Sequence, residues 1–105
     1  MEVKELQRAA SKVFLANLKR DQITVSDDYL ALKLTEELGE FVQSYLIHKK
    51  QCRPTKYESV KKSKYKLSKE LGDVLGLVLV IAKHLNIDVE EALVKKWITK
   101  EWLLK

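Results

Sequence analysis

Apolar residues in this chain recur every third or fourth position over most of its length, and nowhere do they alternate with period two for long enough to build a sheet. That periodicity predicts helices. The punctuation agrees: 3 Gly and 1 Pro among 105 residues leave few places to turn, which favours long helices over many short strands. A chain of 105 residues suits one domain rather than two, and 46% hydrophobic residues allow a sizeable core. The expectation is an all-α, four-helix bundle-like fold in a single domain over residues 1–105.

Four segments fit that expectation. The first, about residues 3–18, sets Val3, Leu6, Ala10, Val13 and Phe14 at helical spacing. Ser26 is placed to cap a second helix that carries Leu30, Leu34, Leu38, Phe41 and Tyr45 on one stripe and runs to about residue 48. Pro54 marks a break in the linker that follows. A third helix begins between residues 59 and 67 and runs to about residue 85. Asp88, with Glu91 three residues on, reads as a capping box with Asp in the place of Ser or Thr, opening a fourth helix to about residue 104.

Charge narrows the partners without choosing one. The net charge is +5, yet residues 49–69 hold nine Lys or Arg and a single acid, Glu58, so the remainder of the chain is acidic. Such a run ordinarily reads as a solvated loop. A lone cysteine, Cys52, excludes an intrachain disulfide, and no Cys/His cluster of zinc spacing exists. These features, with a charged amphipathic start and no apolar run of membrane length, lead to the expectation of a cytoplasmic protein without a membrane segment.

The acids of the third helix are the informative residues. With about 100° per residue and Glu70 as origin, Leu67, Val74, Val78, Ile81 and Leu85 fall within about 80° on one side and Leu77 about 20° on the other. Asp73 lies about 60° away on the Leu77 side with Val80 just beyond it, still inside the apolar arc. A buried carboxylate costs several kcal/mol or takes up a proton, unless a cation or donors accompany it. The second helix repeats the pattern: Glu37 borders the Leu30/Leu34/Leu38/Phe41 stripe and Glu40 follows at i+3, while Glu36 points further out. Two E-x-x-(E/D) pairs therefore stand on inward edges of two helices. Four hard oxygen donors of this kind suit Mg²⁺, with Mn²⁺ as the other candidate. One such pair alone would mean only lysine partners.

At these residues the chain resembles the MazG-like all-α nucleoside triphosphate pyrophosphohydrolases, whose signature is E-E-x-x-E, a spacer, then E-x-x-D. Here it stands as Glu36-Glu37-Leu38-Gly39-Glu40 and Glu70-Leu71-Gly72-Asp73. The flanking Leu32-Lys33-Leu34-Thr35, Val74-Leu75 and Asn86-Ile87-Asp88-Val89-Glu90-Glu91-Ala92 also look like the family, and the likeness covers about residues 21–100. It implies that Glu37, Glu40, Glu70 and Asp73 are the metal ligands. Glu36 would orient water, and Glu36 or the ligand Glu37 would take its proton. Lys96 would be a substrate-phosphate contact.

Lys96 has support of its own, because Val89, Leu93, Lys96 and Lys100 share one stripe whose last two members are cations where apolar residues are called for. Snorkelling at a helix C-terminus is the plainer explanation of that stripe. Three departures bear on base recognition: a longer, basic spacer; Leu77 where many members carry an aromatic or polar residue; and no His/Pro/Lys/Asn segment in residues 25–29.

The reaction implied is metal-dependent hydrolysis of a (d)NTP to a (d)NMP and pyrophosphate, in a house-cleaning or nucleotide-pool role, by a homodimer or homotetramer. A related activity, phosphoribosyl-ATP pyrophosphohydrolase, uses similar paired acids. A non-catalytic helical nucleic-acid or nucleotide binder using residues 49–69 is the reading from another class, and it leaves the acids in the apolar arc as an unexplained cost. Trp97, Trp102 and Tyr45 offer rings for a base, although helical aromatics are ordinarily core. His48 and His84 read as structural.

Overall fold

The computed structural model describes residues 1–24 and 26–99. Among them are four α-helices, α1 (Val3–Arg20), α2 (Asp27–His48), α3 (Val60–His84) and α4 (Val89–Trp97), one short 3₁₀ turn, Pro54–Lys56, and no strand. No helix among the described residues is long and apolar enough to cross a membrane. The chain forms two compact units, Val25–Leu77 and Met1–Thr24 with the residues from Val78 onward, so α3 contributes its first turns to one and its last to the other.

In the unit Val25–Leu77, α2 begins where Ser26 stands: its hydroxyl accepts the Tyr29 N–H at 3.1 Å. The start of α3 pairs with the end of α2, since His48 Nδ1 lies 2.7 Å from Ser63 Oγ. Ser63 is buried, and its hydroxyl donates to the Val60 carbonyl, so the His48 ring N–H donates to Ser63. Further along, Glu37 approaches Glu70 and Asp73. As the position on α2 falls from 48 to 37, its partner on α3 rises from 63 to 73, so the two helices run antiparallel. Leu30, Val74 and Leu77 are buried in this unit, each worth about 1.5–3 kcal/mol of apolar burial.

In the other unit α1 packs on α4. Its buried residues are Gln7, Ser11 and Leu18 rather than the expected Leu6 and Val13, of which Val13 is 60% exposed. Gln7 explains the rotation: its amide donates to the carbonyls of Leu79 at 3.4 Å and Ile87 at 3.1 Å, turning Leu6 and Val13 about 100° away. Asp88 caps α4 by accepting the Glu91 N–H at 3.1 Å, and that bond holds its carboxyl below the ordinary range, with Lys4 3.6 Å away. The Glu91 carboxylate pairs with Lys95, so only the Asp88 half of the reciprocal cap forms.

Two expectations are corrected. The basic run is not one loop: α3 is helical from Val60, so Lys61, Lys62, Lys64, Lys66 and Lys69 ride on a helix. α4 ends at Trp97 with Ile98 as its C-cap, shorter than expected; Lys100 and Trp102 lie outside the described residues. Trp97, at 67% exposed, is not a core residue of this chain.

Three helices end in the same way without glycine. After α1, α2 and α3 the chain turns through Gln22, Lys50 and Asn86, each with φ between 56° and 59°. The next residue's N–H returns to the helix in each case: Ile23 to Leu18, Gln51 to Leu46 and Ile87 to Ala82, at 2.8–2.9 Å. These are Schellman endings, and an L side chain in the left-handed region costs about 1–2 kcal/mol, less for Asn. Gln22→Gly is therefore expected to stabilise the fold by about 0.5–1 kcal/mol, after glycine's greater chain entropy is subtracted, as measured by denaturant unfolding.

Candidate metal centre

The i, i+3 spacing on each antiparallel helix becomes a site only where the two helices face each other. Carboxylate oxygens of Glu37, Glu70 and Asp73 lie within 4.8 Å of one another. Glu37 and Glu70 are half-buried and Asp73 is exposed. Three ionised carboxylates at such separations repel by roughly 3 kcal/mol per pair at an effective dielectric of about 20. Among the described residues Lys33 pairs with Glu37, its ammonium 3.5 Å away and 3.0 Å from Glu36. The Lys33 pKa is raised, chiefly by its hydrogen bond to Glu36.

Lys33 does not offset the cluster. Burial pushes the Glu37 carboxyl above the ordinary range, with Glu40 and then Asp73 adding to the rise against Lys33. One oxygen of Glu37 and one of Glu70 are buried with no hydrogen-bond partner. A buried orphan oxygen beside like charges is what a divalent cation satisfies, and an all-oxygen donor set fits a hard ion.

Beside the acids, and wholly within Val25–Leu77, opens a cleft of about 410 Å³. Glu40, Gln43, Ser44 and Ile47 form one wall at i, i+3, i+4 and i+7 of α2. Lys66, Lys69, Glu70 and Asp73 of α3 form the other, with Glu58 and Ser63 at the end near the connecting loop. A polar trough leading from a cluster of acids to a pair of lysines has room and charge for a polyanion joined to a metal ion.

The model of the MazG nucleotide pyrophosphohydrolase domain family matches residues 25–101. The chain belongs to that family. No curated protein and no solved structure gives a match.

Within this MazG domain the five motif acids occupy different situations. Glu37, Glu70 and Asp73 come together; Glu40 is exposed on the cleft wall with Glu70 and Asp73; Glu36 points outward to Lys33. Lys96 is exposed on α4, in the other unit. Lys33 is a partner not anticipated from the sequence, although its i, i+4 spacing to Glu37 is a signal. Glu58, a solitary acid in the sequence, makes an unexpected 2.7 Å ion pair with Lys66 eight residues on.

The raised Glu37 carboxyl has a consequence for stability. Folding disfavours its charged form, so the penalty is absent below the unfolded value, grows as pH rises through the folded value, and is complete above it. Metal-free Glu37→Gln is expected to melt higher than the metal-free wild type at neutral pH, with the difference closing as pH falls toward 4, roughly the unfolded value. The wild type should gain about 1.4 kcal/mol at Mg²⁺ tenfold above its dissociation constant, and Glu37→Gln much less; calorimetric melts with and without Mg²⁺ check both.

Proposed function

We propose that this MazG domain is a Mg²⁺-dependent enzyme that hydrolyses a nucleoside or deoxynucleoside triphosphate to the monophosphate and pyrophosphate, in a house-cleaning or nucleotide-pool role. The observation that carries the reading is the convergence of Glu37, Glu70 and Asp73 within 4.8 Å, with orphan buried oxygens on Glu37 and Glu70, beside a cleft bearing both acids and lysines.

In this reading Glu37, Glu70 and Asp73, joined by Glu40, hold the metal. When bound, the ion neutralises phosphate oxygens and lowers the pKa of water. Glu36, next to Glu37 and held by Lys33 at 3.0 Å, orients the attacking water and takes its proton, with Glu37 as the other acceptor. Lys96 and Lys100 contact substrate phosphate and screen its charge. The carboxylates thus serve two ends: those facing the helix partner bind, and the outward one handles the proton.

The assembly in this reading is a homodimer or homotetramer. Leu71 at 44% and Leu75 at 55% exposed form an apolar edge on α3, and Leu38 and Val42 a second on α2. Gly39, Gly72 and Gly76 leave open space along these helices, where a built Cβ meets nothing within 4 Å. Exposed apolar stripes at helical spacing are the signature of a helix that still has a partner to meet.

A chromatographic assay of (d)NTPs with and without Mg²⁺ tests the activity: metal-dependent monophosphate plus pyrophosphate is expected, falling at least ~100-fold in Asp73→Asn. Selective turnover of phosphoribosyl-ATP would instead favour phosphoribosyl-ATP pyrophosphohydrolase activity, and no turnover by folded, metal-loaded protein would overturn the enzyme reading. Leu75→Glu is expected to reduce the oligomer measured by light scattering, because a charge on that edge loses its apolar contact.

A further inference from the structure

The cleft segregates its charge along α3. At about 100° per residue, Lys62, Lys66, Lys69, Glu70 and Asp73 fall within an arc of about 100°, with the cations in the turns before the acids. Lys66 and Lys69 line the cleft together with Glu70 and Asp73. Lys66 and Asp73 are seven residues apart, about 10 Å along the axis, on the order of an extended triphosphate chain.

Both lysines are exposed, Lys66 over 52% of its side chain, yet each has a partner. Lys66 Nζ is held 2.7 Å from Glu58 Oε1, and Glu58 reaches it from the loop before α3 rather than from a neighbouring helical turn. The Glu58 side chain is only 19% exposed, and its other oxygen is buried without a partner. Lys66 holds the Glu58 carboxyl below the ordinary range, with Lys62 contributing. The Glu58/Lys62/Lys66 group therefore keeps one net positive charge at this end. Lys69 adds another, its ammonium resting 5.1 Å from the centre of the Tyr65 ring. The facing residues of α2, Gln43, Ser44 and Ile47, carry no charge.

We propose that this end of the cleft binds the β- and γ-phosphates: Lys66 and Lys69 contact the leaving pyrophosphate, and Glu58 is a positioning residue that holds Lys66 in place for it. The inference rests on the pyrophosphohydrolase reading and gives it a direction, with the nucleoside on the far side of the acids from Lys66. In the reaction the water oxygen bonds to the α-phosphorus while the bond from that phosphorus to the α,β-bridging oxygen breaks. The electron pair leaves on the pyrophosphate, and the water proton passes to the carboxylate acceptor. Negative charge grows on the departing group beside Lys66 and Lys69, where fixed cations stabilise it most. A diphosphate leaves only orthophosphate and falls short of Lys66, so the device measures polyphosphate length.

Two measurements on the full chain test this: calorimetric binding of inorganic pyrophosphate with Mg²⁺, and kcat/KM for the best-turned-over nucleotide as triphosphate and as diphosphate. Lys66→Ala is expected to weaken pyrophosphate binding about tenfold and to lower the triphosphate-to-diphosphate ratio of kcat/KM by a similar factor, with Lys66→Arg restoring part of both. Glu58→Gln should weaken pyrophosphate binding a few-fold in wild type and not at all in the Lys66→Ala background, a coupling that a merely structural role would not give. Lys56→Ala, which removes a nearby charge outside the cleft, should change neither. Pyrophosphate binding unchanged in Lys66→Ala, or absent in the wild type, would overturn the proposal, as would equal loss on triphosphate and diphosphate. Failure of the enzyme reading shows separately, as a wild type that releases no monophosphate, and the pyrophosphate arm still decides the role of Lys66.

Discussion

The candidate site in the unit Val25–Leu77 is governed by the cost of bringing carboxylates together. Glu37, Glu70 and Asp73 approach within 4.8 Å, and two of them hold a buried oxygen that no donor reaches. Repulsion between like charges at such separations opposes the folded state, less so at exposed Asp73, where water screens it. The fold tolerates it because Asp73 keeps one side of the cluster in water and Lys33 reaches the other. Neither removes the strain, as the raised Glu37 carboxyl records. Such a cluster could hold a metal ion, which is consistent with the MazG family.

The helix pair then decides which acids share the work. Antiparallel running sets the 37–40 stretch of α2 against the 70–73 stretch of α3, so Glu37 meets the i, i+3 pair Glu70 and Asp73, with Glu40 on the cleft wall beside them. The His48–Ser63 bond fixes that register from the loop end: Ser63 is buried and spends its own proton on Val60, so a slip of one turn would orphan both groups. Glu36 shares the motif yet faces away, because one residue along a helix is a rotation of about 100°. Its bond to Lys33 keeps it beside Glu37 all the same.

Much of this was legible in the sequence, for reasons that are local. Ser26 and Asp88 announced the starts of α2 and α4, since a cap depends on residues three apart. The paired acids stood out because helical geometry alone puts them in the apolar arc. What stayed hidden was non-local or broke a propensity. No glycine marks the ends of α1, α2 or α3, where Gln22, Lys50 and Asn86 take the left-handed conformation because the returning N–H bonds hold it. Gln7 reaches carbonyls more than seventy residues away, so the burial of a polar face on α1 had no signature in its own neighbourhood. Glu58 and Lys66 lie on opposite sides of a loop-to-helix junction, where neither helical nor strand spacing applies.

The basic balance of the chain changes meaning once the helix is seen. Nine cations in residues 49–69 read as a solvated loop or a nucleic-acid strip while the segment is taken as a coil. Five of them ride on α3 and separate by face: Lys66 and Lys69 line the cleft, in the same arc as Glu70 and Asp73. A duplex phosphate backbone needs its cations spread along an open surface, where each contact releases counterions. An exposed cation pair on the cleft wall attracts such a backbone at one end, while the neighbouring acids repel it at the other. In the proposed reading, a short polyanion that brings or meets a divalent ion satisfies both ends, its charge changing partner from metal to lysine within about 10 Å of helix axis. The excess of positive charge over the whole chain is therefore an average of two opposed sites, and the arrangement along one helix face carries the functional information that the average conceals.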